Sequence, residues 1–215
     1  LFPVFGQQSV SHPLSSYGIG DYQLNDHLLL EAGGRYDYSH MDVFKFYKTS
    51  FWDSRNYNQR FAEIVVEDLG TQILTNPQPK FSNGSGTLGA TYTFGEDYKL
   101  FFNYSVASRA PNPSELFSEG LHHSASRIEQ GDLSFKSEIA HKVALTLQSD
   151  SDQFSFNINP YINTISDFIV NEPTEIRQTL RGNFQVWEYR QTNAQLLGVD
   201  VDASYTFAEN YRINS

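Results

Sequence analysis

Apolar and polar residues alternate with a period of two along most of this chain, the signature of strands with one buried or lipid-facing side. From His27 to His40 one face reads Leu28, Leu30, Ala32, Gly34, Tyr36, Tyr38, and the other Leu29, Glu31, Gly33, Arg35, Asp37, Ser39. The same alternation runs through Leu88, Ala90, Tyr92, Phe94, then Leu100, Phe102, Tyr104, Val106, then Ile139, Val143, Leu145, Leu147. It continues through Phe154, Phe156, Ile158, Pro160, Ile162 and, last, Leu197, Val199, Val201, Ala203, Tyr205, Phe207. His141 interrupts one apolar face, and Pro160 sits awkwardly in a strand because it removes a ladder donor. The first stretch, Ser15 to Leu24, is ambiguous: Tyr17 and Ile19 lie on one face, Leu14, Tyr22 and Leu24 on the other.

Short polar joins alternate with long ones. Leu24-Asn25-Asp26, Phe94-Gly95-Glu96-Asp97, Ser149-Asp150-Ser151-Asp152 and Phe207-Ala208-Glu209-Asn210 are tight turns. Met41 to Lys80, Ser108 to Ser137 and Val170 to Trp187 are long and read as irregular loops. Long loops at one end and tight turns at the other are the layout of an outer-membrane β-barrel. Several stretches exceed the length usual in globular sheets and suit a tilted membrane crossing of about 9–11 residues. Charged Arg35, Asp37, Lys142, Asp200 and Asp202 repeat on the face that would line a wet lumen. Tyr and Phe gather near strand ends, as in the aromatic girdles of such barrels. The expected fold is all-β: an antiparallel transmembrane β-barrel in part, with about seven full strands and a truncated eighth of a larger barrel.

Composition changes this picture little. Mean hydropathy is −0.46, but a barrel turns only alternate residues to lipid. There is no Cys, so disulfides and thiolate metal sites are excluded. A net charge of −10 argues against nucleic acid as a partner. No nucleophile elbow or other activating motif appears, so no enzyme is expected. The pattern breaks off at Leu1 and Ser215, which reads as a piece of a longer protein.

The most distinctive run is Ser108-Arg109-Ala110-Pro111, followed by Glu115-Leu116-Phe117, then Gly131-Asp132-Leu133-Ser134 and Lys136-Ser137-Glu138. With Gly33-Gly34-Arg35-Tyr36-Asp37 and Asn193-Ala194-Gln195-Leu196-Leu197-Gly198-Val199-Asp200, it resembles the barrel of the TonB-dependent outer-membrane receptors. Within that family it looks most like the zinc- and haem-type receptors. Ser108 stands where the haem receptors carry Phe, and Asp200 replaces the usual Glu. The resemblance implies that residues 1–215 are part of the barrel domain, without the plug. It implies a receptor in the outer membrane of a Gram-negative bacterium, surrounded by lipid, with a plug in the parent chain and the TonB complex as energy source. No intrinsic cofactor is implied; zinc, haem or a ferric siderophore is the transported ligand. The alternatives are a passive porin or small structural outer-membrane barrel, and a soluble β-sandwich.

Candidate ligand-binding residues follow from chemistry. His122 and His123 lie in the second long loop near Glu115 and Glu119, and His with carboxylate suits zinc, as His suits haem iron. Adjacent His residues on a strand point apart, which hinders joint binding of one ion. His40 and Asp42, at the neck of the first long loop, form a second candidate. The aromatics of that loop, Phe44, Phe46, Tyr47, Phe51, Trp52 and Tyr57, would suit a platform for a siderophore or haem. Arg109 is expected to make a structural ion pair with an inward carboxylate rather than to touch ligand.

Overall fold

A computed structural model describes residues 8–122, 125–151, 153–207 and 211–214. Within them the chain is a meander of antiparallel strands, the long β1 (Gln8–Asn25), β2 (Leu28–Lys48), β5 (Lys80–Phe94), β6 (Tyr98–Arg109), β9 (Glu138–Asp150), β10 (Phe154–Thr179) and β11 (Gly182–Phe207), followed by the short β12 (Tyr211–Asn214). Each pairs with the next in this order, and among the described residues β1 and β12 do not meet, so the sheet is an open part of a barrel. Shorter elements fill the long connections. The first holds α1 (Thr49–Ser54), α2 (Tyr57–Arg60), β3 (Val65–Asp68) and β4 (Gln72–Thr75); the second holds α3 (Pro113–Phe117), β7 (Glu119–His122) and β8 (Arg127–Gln130).

Register puts the alternation onto two faces. Row by row, Leu30 pairs with Ala90, Ala90 with Phe102, Phe102 with Leu145, while Ile158 pairs with Val201. These side chains have no cover: Leu197 is 80% exposed, Leu88 56% and Leu145 44%. A contiguous bare apolar band excludes a soluble sandwich, which would bury it. The band is bounded at the short-turn end by a belt of rings, with centroids 5.5 Å apart for Phe94–Tyr98, 6.5 Å for Tyr98–Phe156 and 5.6 Å for Phe154–Phe156. From Phe94 back to Gly84, which pairs with Tyr36 near the other end, is about ten residues. At ~3.3 Å per residue and a tilt of ~40° that is about 25 Å, the height of the lipid-facing band of an outer-membrane barrel. His141 is tolerated on this face because its Nδ1 lies 3.0 Å from the Tyr104 hydroxyl. Pro160 keeps register with Val199, and the ladder towards β9 passes over Asn159 and Pro160 without slipping.

Two expectations about the loops are corrected. Residues 41–48 are not loop: β2 runs on to Lys48, with β4 taking the place of β5 beside it. Residues 170–187 are not an irregular loop either. β10 and β11 stay paired to Thr179 opposite Gly182, with bulges at Ile165/Phe168 and Pro173/Ile176. Beyond the apolar band both faces of this hairpin meet water or other loops, so the alternation that marks a membrane strand is lost while the ladder continues. Gly182, at φ +123°, makes the turn.

The long-connection end carries the packed interior. On β2, Met41 and Val43 pack with Leu116 and Phe117 of α3, with Phe135 and with Ile169. Next to them Tyr47, Phe51, Trp52, Tyr57 and Ile73 form a second buried cluster. Met41, Val43 and Tyr47 continue the face that carries Arg35 and Asp37 lower on β2, so the loops fold inward over the mouth of the lumen.

Candidate functional site at the barrel mouth

The motif residues assemble a structural support. Asn112 caps α3: its side chain accepts the Glu115 N–H at 3.0 Å, and the Glu115 carboxylate accepts the Asn112 N–H at 2.8 Å, with Pro113 at the first helical position. This is a capping box with its proline where no donor is lost. Arg109, at the end of β6, forks onto Glu115 with two bonds of 3.1 Å and donates from Nε to Glu138 at 2.7 Å. The second oxygen of Glu138 accepts the Ile169 N–H at 2.6 Å. Arg109 therefore makes the structural ion pair expected of it, and joins β6, α3, β9 and β10. Pro111, Leu116 and Phe117 are fully buried, which holds α3 to the wall; Ala110 lies partly buried between the ion pair and Pro111.

Gly131-Asp132-Leu133-Ser134 is the second support. Asp132 Oδ1 accepts the Tyr57 hydroxyl at 3.1 Å and the Ser134 hydroxyl at 2.7 Å; Oδ2 accepts Arg55 Nη1 at 3.3 Å. The Tyr57 oxygen in turn accepts the Leu133 N–H at 3.1 Å. Burial pushes the Tyr57 hydroxyl well above its ordinary pKa and so keeps it a donor. The element lies against α3, with the Asp132 N–H on the Glu115 carbonyl at 3.0 Å. Only glycine allows that approach: a Cβ on Gly131 would stand 2.5 Å from the Glu115 carbonyl oxygen. Gly131→Ala is expected to push the element off α3 at a cost of about 1–3 kcal/mol, typical of overpacking. Faster hydrogen exchange at Asp132 and Leu133, with the strand amides unchanged, is the readout.

Above these supports is a cavity of about 1030 Å³, enclosed by the first connection, the β7–β8 hairpin and the tip of the β10–β11 hairpin. Lys48, Phe51, Arg55, Glu119, Arg181 and Phe184 are among its walls. Glu119 accepts the Lys48 N–H at 3.3 Å. Burial raises its carboxyl pKa against the pull of the Lys45 ammonium, whose own pKa burial lowers.

The sequence candidates separate. Glu119 lines the cavity, whereas Glu115 is buried below it on Arg109. His122 is the last residue of β7, paired with Arg127; His123 lies outside the described residues. His40 and Asp42 alternate with Met41 and Val43 on β2, on the side away from the packed mouth, and Asp42 accepts a bond from Gln78. Among the described residues no three His, Asp or Glu groups converge as a metal site. Of the loop aromatics, Trp52 and Tyr57 are 1% exposed and Phe51 7%, so these rings pack together as the core of the loop, and of the three only Phe51 also reaches the cavity wall. Phe44 and Phe46 lie on the opposite, exposed side of β2. Arg55, Asp132, Lys48 and Arg181 were not singled out by sequence reasoning. Of these only Asp132 carried a signal, its place in the Gly-Asp element.

The model of the family described as TonB dependent receptor-like, beta-barrel matches residues 3–215. The chain belongs to the TonB-dependent receptor family. Solved structures share this receptor fold at low identity. The copper transporter OprC superposes with a TM-score of 0.69 at 17% identity, over 96% of this chain and 28% of its own. A double mutant of the Serratia marcescens hemophore receptor HasR, in complex with its hemophore HasA and heme, gives 0.62 at 14% identity, over 92% and 32%. The ferric yersiniabactin uptake receptor FyuA from Yersinia pestis gives 0.62 at 12% identity, over 97% and 26%. This TonB-dependent receptor barrel chain thus spans about a quarter to a third of each. No curated protein sequence matches it. The family and these neighbours are transport receptors, not enzymes.

Proposed function

We propose that this chain is part of the barrel of a Gram-negative outer-membrane receptor that captures a metal chelate at its mouth and imports it with energy from the TonB complex. A plug domain elsewhere in the parent protein completes the receptor. The observation that carries the reading is the cavity of about 1030 Å³ bounded by three braced connections. Its size is that of a chelate rather than a bare ion. The lipid-facing band supports the outer-membrane location, and the copper, hemophore and yersiniabactin receptors among its structural neighbours support a metal-bearing cargo.

A second reading has zinc or haem as cargo. What favours it is that His122 and His123 follow directly on Glu119, Gly120 and Leu121, which line the cavity.

Uptake of labelled ferric chelates, haem and zinc by cells expressing the complete receptor, with and without a working TonB complex, tests both readings. Import of a ferric chelate that stops without TonB is the expected result. Import that persists without TonB is the behaviour of a passive porin and refutes the proposal, while TonB-dependent import of zinc or haem alone selects the second reading.

A further inference from the structure

The chain is acidic, with a net charge of −10, yet its mouth cavity gathers cations. Lys48, Arg55, Arg177 and Arg181 line it against two acids, Glu119 and Glu188. Neither acid is free to neutralise the rest. Glu188 is held by Arg190 at 3.2 Å, with Arg55 at 3.9 Å. Glu119 is engaged by the Lys48 backbone N–H and is shared between the charges of Lys45 and Lys48, one acid against two ammonium groups. Two of the cations are likewise spoken for: Arg177 pairs with Glu175 at 2.6 Å, and Arg55 with Asp132 at 3.3 Å. Lys48 and Arg181 make no ion pair among the described residues. One comes from the end of β2 and the other from the turn of the β10–β11 hairpin, so a ligand between them is held from two separate loops.

We infer that the cavity selects an anionic metal chelate, with Lys48 and Arg181 as the residues that determine this specificity. The inference rests on the uptake reading above and narrows its cargo. Four cations against two acids already engaged, in a partly enclosed space with Phe51 and Phe184 in its walls, produce a net positive field that a polyanion with an apolar or aromatic frame satisfies. Charge-assisted bonds to ligand oxygens are about twice as strong as neutral ones. A neutral chelate of equal size would leave the excess positive charge of the cavity uncompensated.

The test uses the complete receptor in detergent and two probes of similar size, a trianionic ferric tris-catecholate and a neutral ferric trihydroxamate. Affinities are read by calorimetric titration. Wild-type receptor is expected to bind the anionic probe at least tenfold more tightly than the neutral one. The double variant K48Q/R181Q is expected to lose at least tenfold in affinity for the anionic probe, and the charge-preserving K48R/R181K to keep most of it. Heat-modifiable migration on gels reports independently that each variant is folded. If folded K48Q/R181Q binds the anionic probe as wild type does, the inference fails. A wild-type receptor that binds only the neutral probe also overturns it and leaves the uptake reading standing. One that binds neither overturns both.

Discussion

Arg109→Ala should loosen the second connection while leaving the barrel strands intact. The guanidinium makes three bonds to two carboxylates whose side chains are only 9% and 11% exposed. Removing it leaves both acids in place without their counter-charge. Stripping one partner from a buried pair costs about 3–5 kcal/mol. Arg109 is itself 47% exposed, so water screens part of the loss, and about 3 kcal/mol is the reasonable expectation. The penalty falls locally. Glu115 also closes the cap of α3 and Glu138 also holds the Ile169 N–H. Hydrogen exchange should therefore accelerate at Glu115, Leu116 and Ile169, and protease should cut between residues 110 and 137. Arg109→Lys keeps the charge but not the fork, and should fall between. Unaltered exchange at Leu116 and Ile169 in the alanine variant would show that the ion pair does not hold the connection.

The second large effect concerns the other face of the sheet. Leu145 stands in the middle of β9, 44% exposed in the apolar band. Leu145→Arg places a charge near the bilayer midplane and should destabilise the folded barrel by about 2–4 kcal/mol. Its neighbour Thr146 points the other way, where its hydroxyl meets Asn159 at 3.0 Å. Thr146→Arg enters the wet side and should cost well under half as much, since lumen substitutions are tolerated. Folding of the complete receptor into lipid vesicles at graded urea measures both. Equal costs at the two positions would refute the assignment of faces.

Much of this fold was legible because a strand with one apolar face must alternate. Leu28 to Tyr38, Leu100 to Val106 and Leu197 to Phe207 could be placed with their faces from sequence, and the register agrees. Legibility stopped where the apolar band stops. Met41 to Lys48 stay in β-structure and their burial still alternates, but Lys45 is on the buried side and Phe44 and Phe46 on the exposed one, so apolar and polar residues no longer mark the faces. Val170 to Trp187 also stay paired, with water or other loops on both faces, so the period-two signal is lost although the hydrogen bonds are not. The site divides in the same way. The role of Arg109 followed from a charge at a strand end, with carboxylates in reach. The fate of Trp52 and Tyr57 did not, because an aromatic-rich loop reads alike whether its rings pack together or await a ligand. Lys48 and Arg181 were unreadable for a different reason: they are 133 positions apart in sequence, and only the hairpin brings them to one cavity.

The Tyr57–Asp132 bond has a consequence for the thermodynamics of capture. It ties the first connection to the second, and Arg55 extends the tie towards Glu188 of the third. Ordering a flexible side chain at an interface costs about 0.5–1.5 kcal/mol, and a mobile loop multiplies that cost by its length. Here the aromatic cluster meets most of that entropy when the protein folds, before any ligand arrives. An incoming ligand then finds walls already set, and the binding free energy of its contacts goes into affinity instead of into organising the mouth.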